Sequence, residues 1–238
     1  MFLRAKLISA ELLMWKLLLA AVIAIYASLA YADETTAPCK YAYYGTNLSV
    51  YTSDELCGPI IAGANASYCI VNSTDCSIIN NITMNGRTTL PFFNALGNLS
   101  TSKIAYFKFG NKSLLVMKGM SFPPTLTTLF IENITTLDFN QLTTPFPSSL
   151  RKIDIIDSYL DIFPASFKWP TNLRNLTLRN NRLQTIPKGL PVNLSTLAIQ
   201  NNTLNDFNYL PPNLTFLNIR NNQYEKVTDK DWTNLYFL

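Results

Sequence analysis

Acidic side chains are the residues of this sequence whose type and spacing come closest to a catalytic pair. Asp154 and Asp157 lie three residues apart, and Glu132 falls one predicted strand earlier. Two such carboxylates can act as acid and base in glycoside cleavage. That reaction requires surroundings that keep one of them protonated, and nothing in the sequence predicts that either is buried. The chain also lacks histidine, which excludes histidine-dependent triads, so we predict that it is not an enzyme.

Four cysteines lie close together early in the chain, at Cys39, Cys57, Cys69 and Cys76. An even number within a short segment of an exported protein predicts two disulfide bonds. Three connectivities are possible. Cys39–Cys57 with Cys69–Cys76 would give two short, separate loops, but the sequence does not select one. A zinc site is disfavoured because the spacing lacks Cys-x-x-Cys and there is no histidine. We therefore predict neither a metal nor a cofactor.

The first 32 residues have the pattern of a secretory signal peptide. A basic start precedes an apolar run over 17–30, and Ala30-Tyr31-Ala32 forms a small-residue cleavage site before Asp33. The alternative is an uncleaved signal anchor, because apolar residues at 12–15 extend the segment. Cleavage is favoured since the run is shorter than the ~20 residues that span a bilayer. No second run of that length follows, so the mature chain is predicted to be secreted without a membrane span.

The polar surface predicted from composition is rich in amides and hydroxyls rather than charges. Charged residues make up 14% of the chain and the formal net charge is +4, with no stripe of lysine and arginine that would indicate nucleic-acid binding. Eleven Asn-x-Ser/Thr sequons occur, where about four or five would arise by chance. This excess predicts N-glycosylation at Asn47, Asn65, Asn72, Asn81, Asn98, Asn111, Asn133, Asn175, Asn193, Asn201 and Asn213.

A repeated pattern of leucines dominates the second half of the chain. The clearest unit, NLRNLTLRNNRLQTIP from Asn172, has the form L-x-x-L-x-L-x-x-N-x-L-x-x-I-P. Units that begin at residues 104, 126, 150, 173, 194 and 214 are spaced by 20 to 24 residues, within the range of leucine-rich repeats. Each later unit opens with a large apolar residue, proline, a free position, a small polar residue and leucine, as in FPPTL at 122–126.

This repeat predicts a solenoid. The two leucines of L-x-L point to one face of a strand, and one repeat cannot bury them without a neighbour. We therefore expect a leucine-rich-repeat horseshoe segment with a parallel, concave β-sheet and an extended or 3-10 convex side. Asparagine at the ninth position can bond the turn of the adjacent repeat. It occurs only at Asn181, Asn202 and Asn222, so the C-terminal half is predicted to be more regular.

Four segments follow from these patterns. We assign residues 1–32 to the signal peptide, 33–103 to a disulfide-stapled N-terminal cap, 104–228 to six leucine-rich repeats and 229–238 to a C-terminal tail. Tyr41, Tyr43 and Tyr44 are predicted to lie in the cap core. The tail has no cysteine pair, so either its aromatic residues cover the last repeat or the sequence is part of a longer chain.

The order of these features resembles a known family. A signal peptide is followed by the cysteine block Cys39, Cys57, Cys69-Ile70-Val71-Asn72 and Cys76, and then by repeats with openings of the form W/L-P-x-N-L. This arrangement is similar to the ectodomains of oomycete leucine-rich-repeat receptor-like kinases of the tyrosine-kinase-like group. The resemblance implies a receptor ectodomain or, since the membrane helix and kinase of that family are absent from this sequence, a soluble paralogue, a decoy or an incomplete gene model. It supplies no catalytic residues, because the chemistry of the family belongs to its kinase.

Binding residues are predicted at the positions between the leucines, which face solvent on the concave side. Exposed aromatic rings indicate contact surfaces, and arginine suits an acidic ligand. The predicted set is Tyr106, Lys108, Phe130, Glu132, Lys152, Asp154, Arg179, Phe216 and Arg220. Sugars at Asn111, Asn133, Asn175 and Asn201 would cover part of this face and would move binding toward Lys152 and Asp154 or to a flank.

The sequence therefore predicts an extracellular recognition module whose ligand is a protein, a peptide or a glycan. The alternative is a structural or adhesive glycoprotein of the cell wall or surface. Recovery of the chain only from a wall fraction would favour the alternative.

Overall fold

The computed structural model describes residues 38–53, 55–58, 67–83, 93–99, 102–142 and 144–225, without the side chains of Ser67 and of 80–83. The chain divides into two compact units, Met1–Pro38 and Cys39–Leu238, and nearly all described residues belong to the second. The predicted signal peptide (1–32), the sequon at Asn65 and the C-terminal tail (229–238) lie outside the described residues. Within the described ranges, no helix is both long and apolar enough to cross a membrane.

A four-stranded sheet forms the first part of the described chain. Its strands are β1 (Ser49–Thr52), β2 (Ser67–Asn72), β3 (Ile78–Thr83) and β4 (Ala95–Leu96), in the spatial order β3-β2-β1-β4. The first three strands pair antiparallel, and β4 joins β1 in parallel. Short 3-10 turns at Ala42–Tyr44 and Glu55–Cys57 lie on either side of β1 in the sequence.

Stacked aromatic rings form the core of this sheet. Tyr51 is fully buried, and the centroid of its ring lies 5.6 Å from that of Tyr68 and 5.1 Å from that of Phe93. Burial raises the pKa of the Tyr51 phenol, and its hydroxyl has no hydrogen-bond partner among the described residues. The ring also packs edge-on against Phe107 of the first repeat. The cap and the repeats therefore share one apolar core.

The tyrosines beside Cys39 only partly follow the prediction. Tyr41 and Tyr44 are buried, as expected of a cap core. The prediction is wrong for Tyr43, which is 49% exposed. Its ring lies against the ring of Tyr44, with the centroids 4.2 Å apart, so that one face of Tyr43 remains open to solvent.

Two disulfides join the cysteines of the cap, which confirms that part of the prediction. They are Cys39–Cys76 and Cys57–Cys69. The shorter link lies within the sequence interval of the longer one, so the pairing that would give two separate loops is not the one formed. The reason is strand pairing: Thr52 of β1 lies opposite Cys69 of β2. Cys57, which follows β1 after a short turn, is thereby brought to Cys69 and not to Cys39.

Six parallel strands form the second sheet, each beside the next in sequence. They are β5 (Tyr106–Leu115), β6 (Thr128–Leu137), β7 (Lys152–Ile156), β8 (Asn175–Thr177), β9 (Thr196–Ala198) and β10 (Phe216–Asn218). The register aligns one almost fully buried apolar residue from every strand, namely Phe107, Leu129, Ile153, Leu176, Leu197 and Leu217. The structure thus confirms the leucine-rich-repeat solenoid with a parallel sheet.

Asparagines at the ninth position hold the turns of the C-terminal repeats. The Asn181 amide donates to the carbonyl of Ile155 in the preceding repeat at 2.9 Å and to that of Leu178 in its own at 3.0 Å. Its oxygen accepts from the Ser158 and Leu160 amides. Asn202 and Asn222 repeat this arrangement. Each side chain thereby satisfies buried backbone groups that the turn would otherwise leave without partners.

The N-terminal repeats close differently because they lack this asparagine. Strands β5 and β6 each continue for ten residues and include the residue of positive φ, Asn111 at +53° and Asn133 at +52°, whereas the later strands end before the equivalent residue. Ile134 takes the ninth position and is fully buried. Its backbone amide donates to the Ser158 hydroxyl at 3.3 Å. The prediction that the C-terminal half is more regular is confirmed.

The proline openings form the turns that lead into the strands. In four units the leucine amide donates to the proline carbonyl three residues earlier, at 3.0–3.1 Å, as in Leu126 to Pro123. The small polar residue bonds the preceding turn, as when the Ser149 hydroxyl donates to the Leu126 carbonyl at 2.7 Å. Between β5 and β10 the described convex side has one regular element, the 3-10 turn Phe139–Gln141. The predicted extended or 3-10 convex side is confirmed.

Replacement of a cysteine pair tests the nested connectivity. Cys39→Ser/Cys76→Ser should lower the free energy of unfolding by about 4 kcal/mol and Cys57→Ser/Cys69→Ser by about 3 kcal/mol, because the longer closed loop restricts the unfolded chain more. Mass spectrometry of non-reduced peptides should recover Cys39 linked to Cys76. Recovery of Cys39 linked to Cys57 would contradict the structure.

Replacement of a ninth-position asparagine tests its role in the turns. Asn181→Ala should lower the free energy of unfolding by about 3 kcal/mol, since it leaves several buried backbone groups unsatisfied. The adjacent Asn180 has a φ of +56°, which glycine adopts readily, so Asn180→Gly is the matched control and should cost less than about 1 kcal/mol. Urea unfolding measures both, and equal losses would contradict the assignment.

Candidate functional site

The outward side of the six-stranded sheet, here the concave face, is the candidate site. Each strand contributes one side chain to three columns that run across the sheet. The first column contains Tyr106, Thr128, Lys152, Asn175, Thr196 and Phe216, and the middle column contains Lys108, Phe130, Asp154, Thr177, Ala198 and Asn218. The third contains Gly110, Glu132, Ile156, Arg179, Gln200 and Arg220. The register therefore brings all the predicted binding residues to one face.

The three aromatic residues of this face differ in exposure. Tyr106 is 53% exposed, whereas Phe130 and Phe216 are half-buried. The Lys108 ammonium lies over the Phe130 ring, 4.8 Å from its centroid. The expectation of three exposed rings thus holds for Tyr106 alone, because a neighbouring cation covers Phe130 on the closely spaced sheet. Tyr106 is the aromatic side chain most available to a ligand.

Two ion pairs neutralise the N-terminal half of the face. The Lys108 ammonium lies 2.6 Å from a Glu132 carboxylate oxygen across β5 and β6, and both side chains are partly exposed. The Lys152 ammonium lies 3.0 Å from Asp154 Oδ2 on the same strand. Four of the predicted charged residues are therefore engaged with one another before any ligand binds.

Asp154 corrects the expectation of a solvent-facing carboxylate. It is only 5% exposed, since its position lies in register between Phe130 on β6 and Thr177 on β8. Lys152 is its ion-pair partner, and Asp154 Oδ1 has no hydrogen-bond partner among the described residues. Ile156 in the third column is also buried. The centre of β7 is therefore a filled part of the face.

The carboxylates considered for catalysis each have a separate partner. Glu132 pairs with Lys108, and Asp154 pairs with Lys152. Asp157 has a φ of +53°, and its Oδ1 accepts a hydrogen bond from the Asn180 amide at 2.7 Å. Each of the three carboxylates thus has its own cation or donor, and no two of them form the acid and base pair that glycoside cleavage would require.

The arginines of the third column differ from the other charged residues. The Arg179 and Arg220 side chains make no hydrogen bond or ion pair in the described part of the chain. Gln200 lies between them in the column, and its Oε1 is buried without a partner among the described residues. The C-terminal half of the face therefore carries unpaired positive charge.

A second asparagine column borders the face, and it was not predicted from the sequence. Its residues directly precede the ninth position and all have φ between +52° and +56°, namely Asn111, Asn133, Asp157, Asn180, Asn201 and Asn221. Neighbouring side chains are linked, as when the Asn133 amide donates to Asn111 Oδ1 at 2.9 Å and that of Asn221 to Asn201 Oδ1 at 2.7 Å. The signal in the sequence was an Asn or Asp at one fixed position of every repeat.

The sequons differ in accessibility. The side chains of Asn47, Asn98, Asn111, Asn133, Asn193, Asn201 and Asn213 are exposed, and those of Asn72 and Asn175 are half-buried. Asn65 and the side chain of Asn81 are outside the described residues. Three of the exposed group, Asn111, Asn133 and Asn201, belong to the bordering asparagine column, so sugars there would line one edge of the face.

Comparison with known proteins gives partial similarities. No protein-family profile matches the chain. A segment of 108 residues is 29% identical to Toll-like receptor 2 of Equus caballus, over 44% of this chain and 14% of that protein. A segment of 81 residues is 28% identical to Toll-like receptor 2 of Bos taurus, over 34% of this chain and 10% of that protein.

One solved structure is also similar. YopM from Yersinia enterocolitica WA-314 matches with a TM-score of 0.42 and 24% sequence identity, over 60% of this chain and 34% of that chain. The chain thus corresponds to a small part of the receptors and about a third of this structure. These proteins are not oomycete receptor kinases, so that resemblance stays a prediction.

The buried carboxylate gives a test of the electrostatics of the face. Lys152→Met should lower the free energy of unfolding by about 2 kcal/mol, since it leaves Asp154 buried without its cation. Asp154→Asn in the same background should recover most of that loss. Lys108→Met is the control: its partner Glu132 is partly exposed, so the cost should stay below about 1 kcal/mol. Urea unfolding that shows equal losses for the two lysines would contradict this description.

Proposed function

We propose that this protein is an extracellular recognition module that binds a protein, peptide or glycan ligand on the concave face. The observation that carries the proposal is the register of the six-stranded sheet. The register places one column of apolar residues in the core. The side chains of the three outward columns point to the other side of the sheet, so packing of the core does not determine their types. A rigid sheet that presents Tyr106 and the two unpaired arginines is suited to binding a ligand with little loss of conformational entropy.

Three features support an extracellular role. The cap holds two disulfides, which persist in oxidising compartments. The proposed signal peptide of residues 1–32 would export the chain, and the exposed sequons would then receive N-linked sugars. The similarity to Toll-like receptor 2, a receptor by name, accords with this role, although the match covers 14% of that protein.

A more specific proposal concerns the kind of protein to which this module belongs. The cysteine block and the proline openings support a receptor-kinase ectodomain of the oomycete type or a soluble paralogue of one. Fractionation of the producing cell tests this against the structural or adhesive alternative. Recovery from the culture medium, or from the membrane as part of a longer chain, is expected. Recovery from the insoluble wall alone would contradict the proposal.

Binding through the concave face is tested with arrays of secreted proteins and of wall oligosaccharides. Tyr106→Ala/Phe130→Ala should weaken binding to the recognised ligand about tenfold, because aromatic side chains commonly contribute most at such contacts. The control Tyr209→Asn alters an exposed ring outside the sheet, at a residue with a φ of +67° that asparagine tolerates. It should leave binding unchanged. Equal effects of both variants, or no array signal, would contradict the proposal.

A further inference from the structure

Some charged residues of the concave face form ion pairs and others do not, and this difference indicates what the face binds. Of its six charged residues, Lys108 pairs with Glu132 and Lys152 pairs with Asp154. Arg179 and Arg220 remain without an ion pair in the described part of the chain. The unpaired charge is therefore positive and confined to the C-terminal half of the face.

The spacing of the two arginines is set by the sheet. Their column lies two residues beyond the aligned positions Thr177, Ala198 and Asn218. Backbone bonds from the Asn180 amide to the Gln200 carbonyl and from the Asn201 amide to the Arg220 carbonyl keep this part of the turns in register. Two interstrand spacings of about 4.8 Å place the arginine backbones about 10 Å apart. Their long side chains can adjust around that value.

The side chains beside the arginines in the middle column are small. The adjacent middle column consists of the short side chains of Thr177, Ala198 and Asn218. The amide of Gln200, between the two arginines, has a buried oxygen without a partner among the described residues. The NH₂ group of the same amide is a donor and can bond an anion. Two guanidinium groups and one amide thus form a row of donors beside these short side chains.

We propose that this row, Arg179, Gln200 and Arg220, binds an acidic peptide segment that carries carboxylates about 10 Å apart. The inference rests on the proposed function and names the ligand class for it. In polyproline II conformation, residues three apart lie on one side of the peptide and about 9.3 Å apart, which matches the separation of the arginines. In a β-strand such residues point to opposite sides, so the extended β conformation fits less well.

A peptide fits this row better than an acidic sugar does. Aromatic rings are the side chains that offer flat faces to a sugar ring, and none lies between the two arginines, where the middle column has threonine, alanine and asparagine. The hydroxyl of Thr177 and the amide of Asn218 can instead form hydrogen bonds with a peptide backbone. The pairing of guanidinium with carboxylate supplies the charge-assisted bonds.

Fluorescence anisotropy with designed peptides tests the proposal on the full mature chain. The probe PPEPPEPPEPP places a glutamate at every third position. The isomer PPPPEEEPPPP has the same charge, but its glutamates are adjacent. The glutamine probe PPQPPQPPQPP keeps the spacing and has no carboxylate side chains. At an ionic strength of about 50 mM, where exposed charges are weakly screened, the spaced probe should bind at least about fivefold more tightly than the isomer. The glutamine probe should not bind measurably.

Charge-matched variants identify the residues responsible. Arg179→Gln/Arg220→Gln should weaken binding of the spaced probe about tenfold. Lys118→Gln/Lys168→Gln removes the same charge from two exposed lysines outside the strands and should weaken it less than about twofold. The unfolding midpoint of each variant shows whether it is folded.

The outcomes separate this inference from the proposed function. Equal binding of the two glutamate probes, or equal losses in the two double variants, would overturn the inference. Binding of an oligogalacturonate through the arginines without binding of the peptide would overturn the peptide class. Array binding that depends on Tyr106 but not on the arginines would keep the concave face as the ligand site and overturn the arginine row. Array binding that depends neither on Tyr106 nor on the arginines would overturn the proposed function as well.

Discussion

Burial of the strand leucines against the next repeat is the interaction on which this structure depends. Leu176 and Leu197 are fully buried only because neighbouring strands stack in register. A single repeat has too little apolar surface to hold itself together, so stability accumulates through interfaces between repeats. The first strand needs a cover for the same reason, and the aromatic rings around Tyr51 supply it by packing against Phe107.

Stacking creates a second requirement, which asparagine meets. Each tight turn buries backbone donors and acceptors that must find partners. Asn181 supplies them between repeats from inside the solenoid, while its neighbour Asn180 adopts positive φ and bonds Asp157 in the column that borders the face. Adjacent residues of one type thus have separate roles, one in the buried backbone network and one at the border of the concave face.

The division between core and outward columns explains why recognition residues can vary. Phe107, Leu129 and their equivalents are fixed by packing, whereas the outward columns alternate with them and carry no such demand. The N-terminal half of the face uses this freedom for internal ion pairs. The C-terminal half leaves Arg179 and Arg220 available. The ligand preference proposed above follows from this difference and not from the fold itself.

Spacing in the sequence was sufficient to predict the solenoid, the parallel sheet, the extended convex side and the more regular C-terminal half. Each of these follows from a local period: alternate residues of a strand face one side, and the ninth-position asparagine bonds the turns of the preceding repeat and of its own. The period also identified which predicted binding residues share a face, because the register of parallel strands preserves position from one repeat to the next.

Only the tertiary structure decided the features that depend on distant partners. The antiparallel pairing of β1 with β2 selected Cys57–Cys69, which four cysteines in sequence do not reveal. Likewise, the burial of Asp154 depends on Phe130 and Thr177 from adjacent strands. The ion pair of Lys108 with Glu132 joins two adjacent repeats. A periodic sequence determines which way a side chain faces, but neighbours that are remote in sequence determine its exposure, its charge partner and therefore its availability to a ligand.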